Sequence, residues 1–156
     1  MIVYLTKLTA NNLENSMAVL TSYPVNKIHG NIQVPGDKSI SHRALIISAN
    51  AVGKTVICGL LEGDDVLKTA RALSAMGVDA APDETGNWHV HGTGVGGLAQ
   101  PSTVLDLGNA GTGARLLLGL LASQDLTACF TGDASLLKRP MNRVSAPLEM
   151  IGARVT

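Results

Sequence analysis

The stretch VPGDKSISHR, Val34 to Arg43, places a lysine, a serine and an arginine directly behind a Pro-Gly turn, where a helix is predicted to begin. Free N–H groups and the helix dipole make such a start attractive to anions. Lys38 adds a point charge and Ser39 a hydroxyl. Arg43, four residues after Ser39 and so on its face of the helix, adds a fork suited to carboxylate or phosphate. A second stretch, GNAGTGARLL, repeats the arrangement: Asn109, Gly111 and Thr112 offer donors, and Gly111 permits close approach to the backbone. Arg139, in LLKRPM, is the extra cation of that second stretch. The competing reading is that Ser39 and Thr112 only cap helices and that Arg43 and Arg115 pair with Asp64 or Asp106. Cations at two equivalent helix starts favour the anion site.

The elements that position these residues come in two copies with little identity. Arg43 and Arg115 are 72 residues apart, Gly59 and Gly132 are 73, and Gly77 and Gly152 are 75. Such offsets indicate one supersecondary unit used twice. KIHGNIQV alternates as a strand does, and Ile40, Ala44, Ile47 and Ala51 recur at helical spacing. KTVICG reads as a short buried strand. Val66, Ala70, Leu73 and Met76 mark a second helix that ends at Gly77. GVDAAPDETGNWHVHG reads as a hairpin turning at Asp83 to Asn87. The unit is β-α-β-α-β-β. In the second copy Thr156 falls just inside the strand expected to open the matching hairpin, so the sequence reads as unfinished.

Composition restricts the partners. Of 156 residues, 46% are hydrophobic, and twelve Lys/Arg balance twelve Asp/Glu, which gives no basic surface for nucleic acid or an anionic membrane. No apolar run reaches the length of about 18 residues that spans a bilayer. The N-terminus lacks the pattern of a leader, so a cytoplasmic location is expected. Residues 1–26 read as an N-terminal extension, with Met17 as an alternative start. Cys58 and Cys129 are too far apart in sequence for a CxxC motif and read as reduced core residues.

Three matches are rejected. Gly92–Gly97 fits G-x-G-x-x-G but leads into Pro101 and Ser102, not into a helix. Val52–Thr55 ends like a P-loop, yet Ser48 stands where its first glycine belongs. His89 and His91 share a strand face with no third ligand at suitable spacing, so no metal site is assigned.

PGDKSISHR, LGNAGTGARLL and TGDASLLKRPM, in this order and spacing, resemble the 5-enolpyruvylshikimate-3-phosphate synthase (3-phosphoshikimate 1-carboxyvinyltransferase) family from about Lys27 to Thr156. The resemblance implies the α/β (α+β) enolpyruvyl transferase fold, an inverted α/β barrel whose two domains each hold three β-α-β-α-β-β units. Residues 27–156 would be a partial first domain with two of the three units, the second incomplete, and the second domain absent. The implied reaction transfers the enolpyruvyl group of phosphoenolpyruvate to the 5-hydroxyl of shikimate 3-phosphate and releases phosphate, a step of chorismate and aromatic amino acid biosynthesis. Lys38, Ser39 and Arg43 would contact shikimate 3-phosphate; Lys38, Asn109, Gly111 and Arg139 would contact phosphoenolpyruvate. Lys38 would be the catalytic residue. No metal or organic cofactor is implied.

By the same resemblance, the carboxylate acid/base residues lie beyond Thr156, so the short chain is expected to be inactive alone and to need a complementary C-terminal chain. Glycine at 111 implies sensitivity to glyphosate. The alternatives are a non-catalytic module that binds phosphorylated ligands, and a UDP-N-acetylglucosamine enolpyruvyl transferase. The second fits less well: Ser39 stands where that relative has asparagine, and the segment TGDASLLKRP contains no cysteine.

Overall fold

Among the described residues, regular structure begins at Lys38, just after the Pro35-Gly36 turn. The computed structural model describes residues 21, 23–24 and 26–156. Met17, and most of the expected extension over 1–26, lie outside the described residues. Residues 1–34 form one unit and 35–156 a second, and the second carries every helix and strand among the described residues.

Helix α1 (Lys38–Asn50) starts because Asp37, in extended conformation, accepts the Ile40 N–H at 2.8 Å. A carboxylate there satisfies an otherwise orphaned donor. The Ser41 hydroxyl donates to the Asp37 carbonyl at 2.8 Å and accepts the Leu61 N–H at 3.0 Å, which ties the first turn to the loop ahead of the next helix. Strand β1 (Val52–Ile57), helix α2 (Asp64–Ala75) and the hairpin β2 (Asp79–Pro82) and β3 (Trp88–Thr93) complete the first copy. β3 lies between β1 and β2, antiparallel to both, with Val56 opposite His89. The hairpin turn closes where expected: the Asp83 carboxylate accepts from the backbone N–H groups of Thr85 and Asn87, and the Asp83 N–H donates to the Asn87 carbonyl.

The second copy runs through β4 (Leu105–Asp106), α3 (Gly111–Leu121), β5 (Phe130–Thr131), a 3-10 turn (Leu136–Lys138) and α4 (Asn142–Met150). β4 and β5 pair in parallel across α3. α2 and α4 end alike. Gly77 at φ +90 donates to Ser74 while Val78 donates to Leu73; Gly152 at φ +102 donates to Glu149 while Ala153 donates to Leu148. Both are left-handed glycine caps that satisfy the last carbonyls of a helix, and they stand at the spacing that the sequence repeat requires.

Leu45 and Ala49 of α1, Val66, Ala70 and Leu73 of α2, and Ala114 and Leu117 of α3 meet in one core that continues to Val90 and Leu107. α2 buries the face expected of it. α1 does not bury its aliphatic stripe: Ile40 and Ile47 are 67% and 68% exposed, while Ser41, His42 and Ser48 turn inward. Small and hydrogen-bonded side chains face the neighbouring helices, and this lets those helices approach closely.

Four expectations are corrected. KIHGNIQV is not a strand: Ile28, Ile32 and Val34 are exposed, and alternation alone cannot form a ladder without a partner. The segment after Gly152 is likewise not a strand. β1 is not buried, because Val52 and Val56 point away from the core. Cys58 and Cys129 are free but exposed, each just beyond the end of a short strand and not in the core. The rejected glycine run keeps to its reading: Gly94 and Gly96 take positive φ in a loop after β3, and no helix follows.

Candidate functional site

Lys38 is the first residue of α1, and its Nζ lies 2.9 Å from Asp65 Oδ2 in the first turn of α2. An acidic residue suits that helix start, since the dipole is positive there. Arg43 folds back one turn, and its Nη1 donates to the Ser39 carbonyl at 2.9 Å. It therefore does not pair with Asp64. Ser39 is not the cap of α1 either; Asp37 has that role.

α3 starts differently. Its N-cap is Ala110, whose methyl group cannot accept a hydrogen bond, so Thr112 is not the cap and no side chain caps the first turn. Arg139, immediately after the 3-10 turn, reaches back so that its Nη2 donates to Asn109 Oδ1. Its Nη1 lies over Gly111 where a Cβ would overlap it, so only glycine accommodates the guanidinium in this position. Asn109 Nδ2 donates to Asp133 Oδ2 at 2.6 Å. Asp133 Oδ1 accepts from the N–H groups of Ser135 at 2.9 Å and Leu136 at 2.7 Å. The Leu136 N–H, followed by the Asn109 amide, holds the Asp133 carboxyl below its usual range, with smaller contributions from Ser135 and the Arg139 charge.

The structure thus brings Asn109, Gly111 and Arg139 into contact and sets Lys38, Ser39 and Arg43 along the neighbouring helix. The helices adjoin: a Cβ on Gly113 would stand 3.2 Å from His42 Cε1 and closer still to Thr69 Oγ1. His42 is wholly buried and its Nδ1 is 2.9 Å from Thr69 Oγ1. Burial pushes its pKa down, against Asp65, which raises it, and with Lys38 and Arg43, which lower it. Arg115 donates to the Pro140 carbonyl at 3.4 Å and so supports the segment behind Arg139. Asp106 pairs with Lys68. His89 pairs with Asp83 at 2.7 Å.

Sequence reasoning missed Asp65, Thr69 and Asp133. Asp65 belongs to an acidic pair at a helix start, a local signal that could have found it. Asp133 lies inside TGDASLLKRPM but had no visible partner in sequence. Chemically, the two helix starts together offer a lysine, two arginines, a hydroxyl and uncapped N–H groups, which suits ligands with more than one negative charge.

A family profile described as EPSP synthase (3-phosphoshikimate 1-carboxyvinyltransferase) matches residues 22–156. The chain belongs to the EPSP synthase family. It is 58% identical over 135 residues to the 3-phosphoshikimate 1-carboxyvinyltransferase of Zymomonas mobilis, covering 86% of this chain and 30% of that relative. To the Rhodospirillum rubrum enzyme of the same name it is 62% identical over 130 residues, covering 81% and 29%. The solved EPSP synthase of Acinetobacter baumannii superimposes with a TM-score of 0.77 at 46% identity, over 81% of this chain and 28% of that one. The mixed helix and strand architecture is that of the enolpyruvyl transferase fold. The chain spans less than a third of the length of these relatives.

Proposed function

We propose that this chain contributes one wall of the active site of a 3-phosphoshikimate 1-carboxyvinyltransferase. The observation that carries the reading is the Arg139 guanidinium held by Asn109 over Gly111, at a helix start without a side-chain cap. That place takes the phosphate or carboxylate of phosphoenolpyruvate. Lys38, Ser39 and Arg43, on the adjoining helix, take shikimate 3-phosphate, with Lys38 also near phosphoenolpyruvate. Residues 27–156 are two of the three repeat units of a first domain, and the second domain is supplied by further sequence or by a complementary chain.

In the reaction the methylene carbon of phosphoenolpyruvate gains a proton, and C2 becomes cationic. The 5-hydroxyl of shikimate 3-phosphate attacks C2 and loses its proton, which gives a tetrahedral intermediate. Loss of a methyl proton and C–O cleavage then release phosphate and restore the double bond. Fixed cations lower the barrier by holding two anionic reactants in contact and by stabilising the departing phosphate. Lys38 stabilises charge at the reacting oxygens. The groups that move the protons belong to the other wall. A cytoplasmic location accompanies this reading; no helix among the described residues is long and apolar enough to cross a membrane.

The test is a chimera in which residues 22–156 replace the matching segment of the Rhodospirillum rubrum relative. Phosphate release that requires both substrates is expected, together with none from the 156-residue chain alone. A folded chimera that neither turns over nor binds shikimate 3-phosphate overturns the reading. Binding by the chain alone without turnover in the chimera would instead favour a ligand-binding module.

A further inference from the structure

Asp133 is assigned no ligand, yet the bonds around Arg139 lead to it. An asparagine amide presents an acceptor on one side and a donor on the other, and a guanidinium is donor only. Asn109 can therefore hold Arg139 only while Oδ1 faces it; a flipped amide would set Nδ2 against Nη2. The ionised Asp133 carboxylate, acceptor only, admits Nδ2 at 2.6 Å and excludes the flipped form. Its other oxygen accepts from Ser135 and Leu136 and so fixes the 3-10 turn, whose last carbonyl bond, Arg139 N–H to Leu136, leads directly into Arg139. The Asp133 N–H donates to the Gly108 carbonyl at 2.9 Å, one residue before Asn109. One side chain thus controls both the backbone that projects Arg139 and the surface on which its head rests.

The amide between them matters as much. A carboxylate bonded directly to Arg139 would neutralise the charge that an anionic ligand needs. Through Asn109, Asp133 aims the guanidinium without forming an ion pair with it.

We propose that Asp133 is the positioning residue for Arg139, setting the orientation of the Asn109 amide and thereby placing the guanidinium at the start of α3. The proposal rests on the functional reading above and deepens it. Asp133→Asn keeps the shape and can still accept from the turn, but it turns an amide N–H₂ toward Asn109. In the chimera, the KM for phosphoenolpyruvate should rise about tenfold with kcat within about threefold, a loss of ligand hold and not of chemistry. The same substitution added to Arg139→Ala should change KM little, because the group being positioned is already gone. Asp133→Glu should recover part of the affinity.

A second readout does not need turnover. The Asn109 side-chain amide resonances should follow the titration of Asp133, with a midpoint below the usual carboxylate range, and lose that dependence in Asp133→Asn. Equal KM effects with and without Arg139→Ala, or amide resonances insensitive to Asp133, would overturn the proposal. An inactive chimera with the amide titration intact would fail the functional reading and leave the positioning role standing.

Discussion

The starts of α1 and α3 are equivalent in the repeat and opposite in construction. At α1 a carboxylate, Asp37, occupies the free N–H of Ile40, and the cations come from the helix itself, with Lys38 tethered to Asp65. At α3 no side chain caps the first turn, two of its first three residues are glycine, and the cation arrives from 28 residues downstream of Gly111. A capped start leaves anion recognition to side chains. An uncapped start gives it to the backbone and lets one remote arginine complete the site. On the reading proposed above, one repeat unit thereby meets two ligands of similar charge without presenting the same surface twice.

The comparison breaks most easily at Arg139. In the chimera, Arg139→Ala should lower kcat/KM by roughly 100-fold to 1000-fold, the range seen when a preorganised charge-stabilising donor is removed. Steady-state kinetics that show a loss below about tenfold would mean that the α3 backbone holds its anion unaided. Next comes Gly111→Ala, whose methyl group must displace the guanidinium. The KM for phosphoenolpyruvate should rise roughly tenfold, equivalent to about 1.4 kcal/mol. Glyphosate, expected to inhibit the unsubstituted chimera, should lose most of its effect in inhibition assays. Ser39, the equivalent position in α1, should respond more mildly: Ser39→Ala removes one donor and should weaken shikimate 3-phosphate binding by about fivefold.

Smaller effects sharpen the contrast in stability. Asp37→Ala removes the α1 cap and should cost about 1 kcal/mol, seen as a fall of a few degrees in the thermal midpoint. α3 has no cap to lose. The smallest effect is in pH. His42 has a folded pKa below its ordinary 6.5, so the unfolded chain binds more protons in the interval between the two. Its contribution is complete above 6.5 and is lost as pH falls through the lower folded value. Thermal midpoints should therefore decline below pH 6.5, and His42→Gln should flatten that slope. A midpoint that rises on acidification would contradict the buried, neutral imidazole.

What the sequence revealed follows the range of the interactions involved. The course of α2 could be read directly, because Val66, Ala70, Leu73 and the Gly77 cap are local signals that tertiary contacts reinforce. The hairpin at Asp83–Asn87 was equally local. KIHGNIQV and the exposed face of β1 were misread, because a ladder and a buried face depend on partners that alternation does not specify. Lys38 and Arg43 could be singled out as cations and Ser39 as a hydroxyl at one helix start, and Asn109, Gly111 and Arg139 as donors at another. Asp65 carried a local signal as an acidic residue at a helix start, but its partner Lys38, like the Asn109 partner of Asp133, lies 24 or more positions away and was hidden. The competing reading pairs Arg115 with a carboxylate; Arg115 instead supports the Pro140 carbonyl, a backbone partner that charge pairing cannot find.

The glycines that join each helix start to the strand beyond it have a consequence for ancestry. A Cβ on Gly36 would overlap the Gly59 carbonyl, and a Cβ on Gly132 would overlap the Gly108 carbonyl and the Leu136 side chain, so in each copy main chain presses on main chain at a glycine. Such a seam places its whole demand on the absence of a side chain. After a duplication every other residue around it is free to diverge while the geometry persists. Kinship between the two halves is therefore recorded in the positions that carry least chemical information, and a search for shared side chains would pass over it.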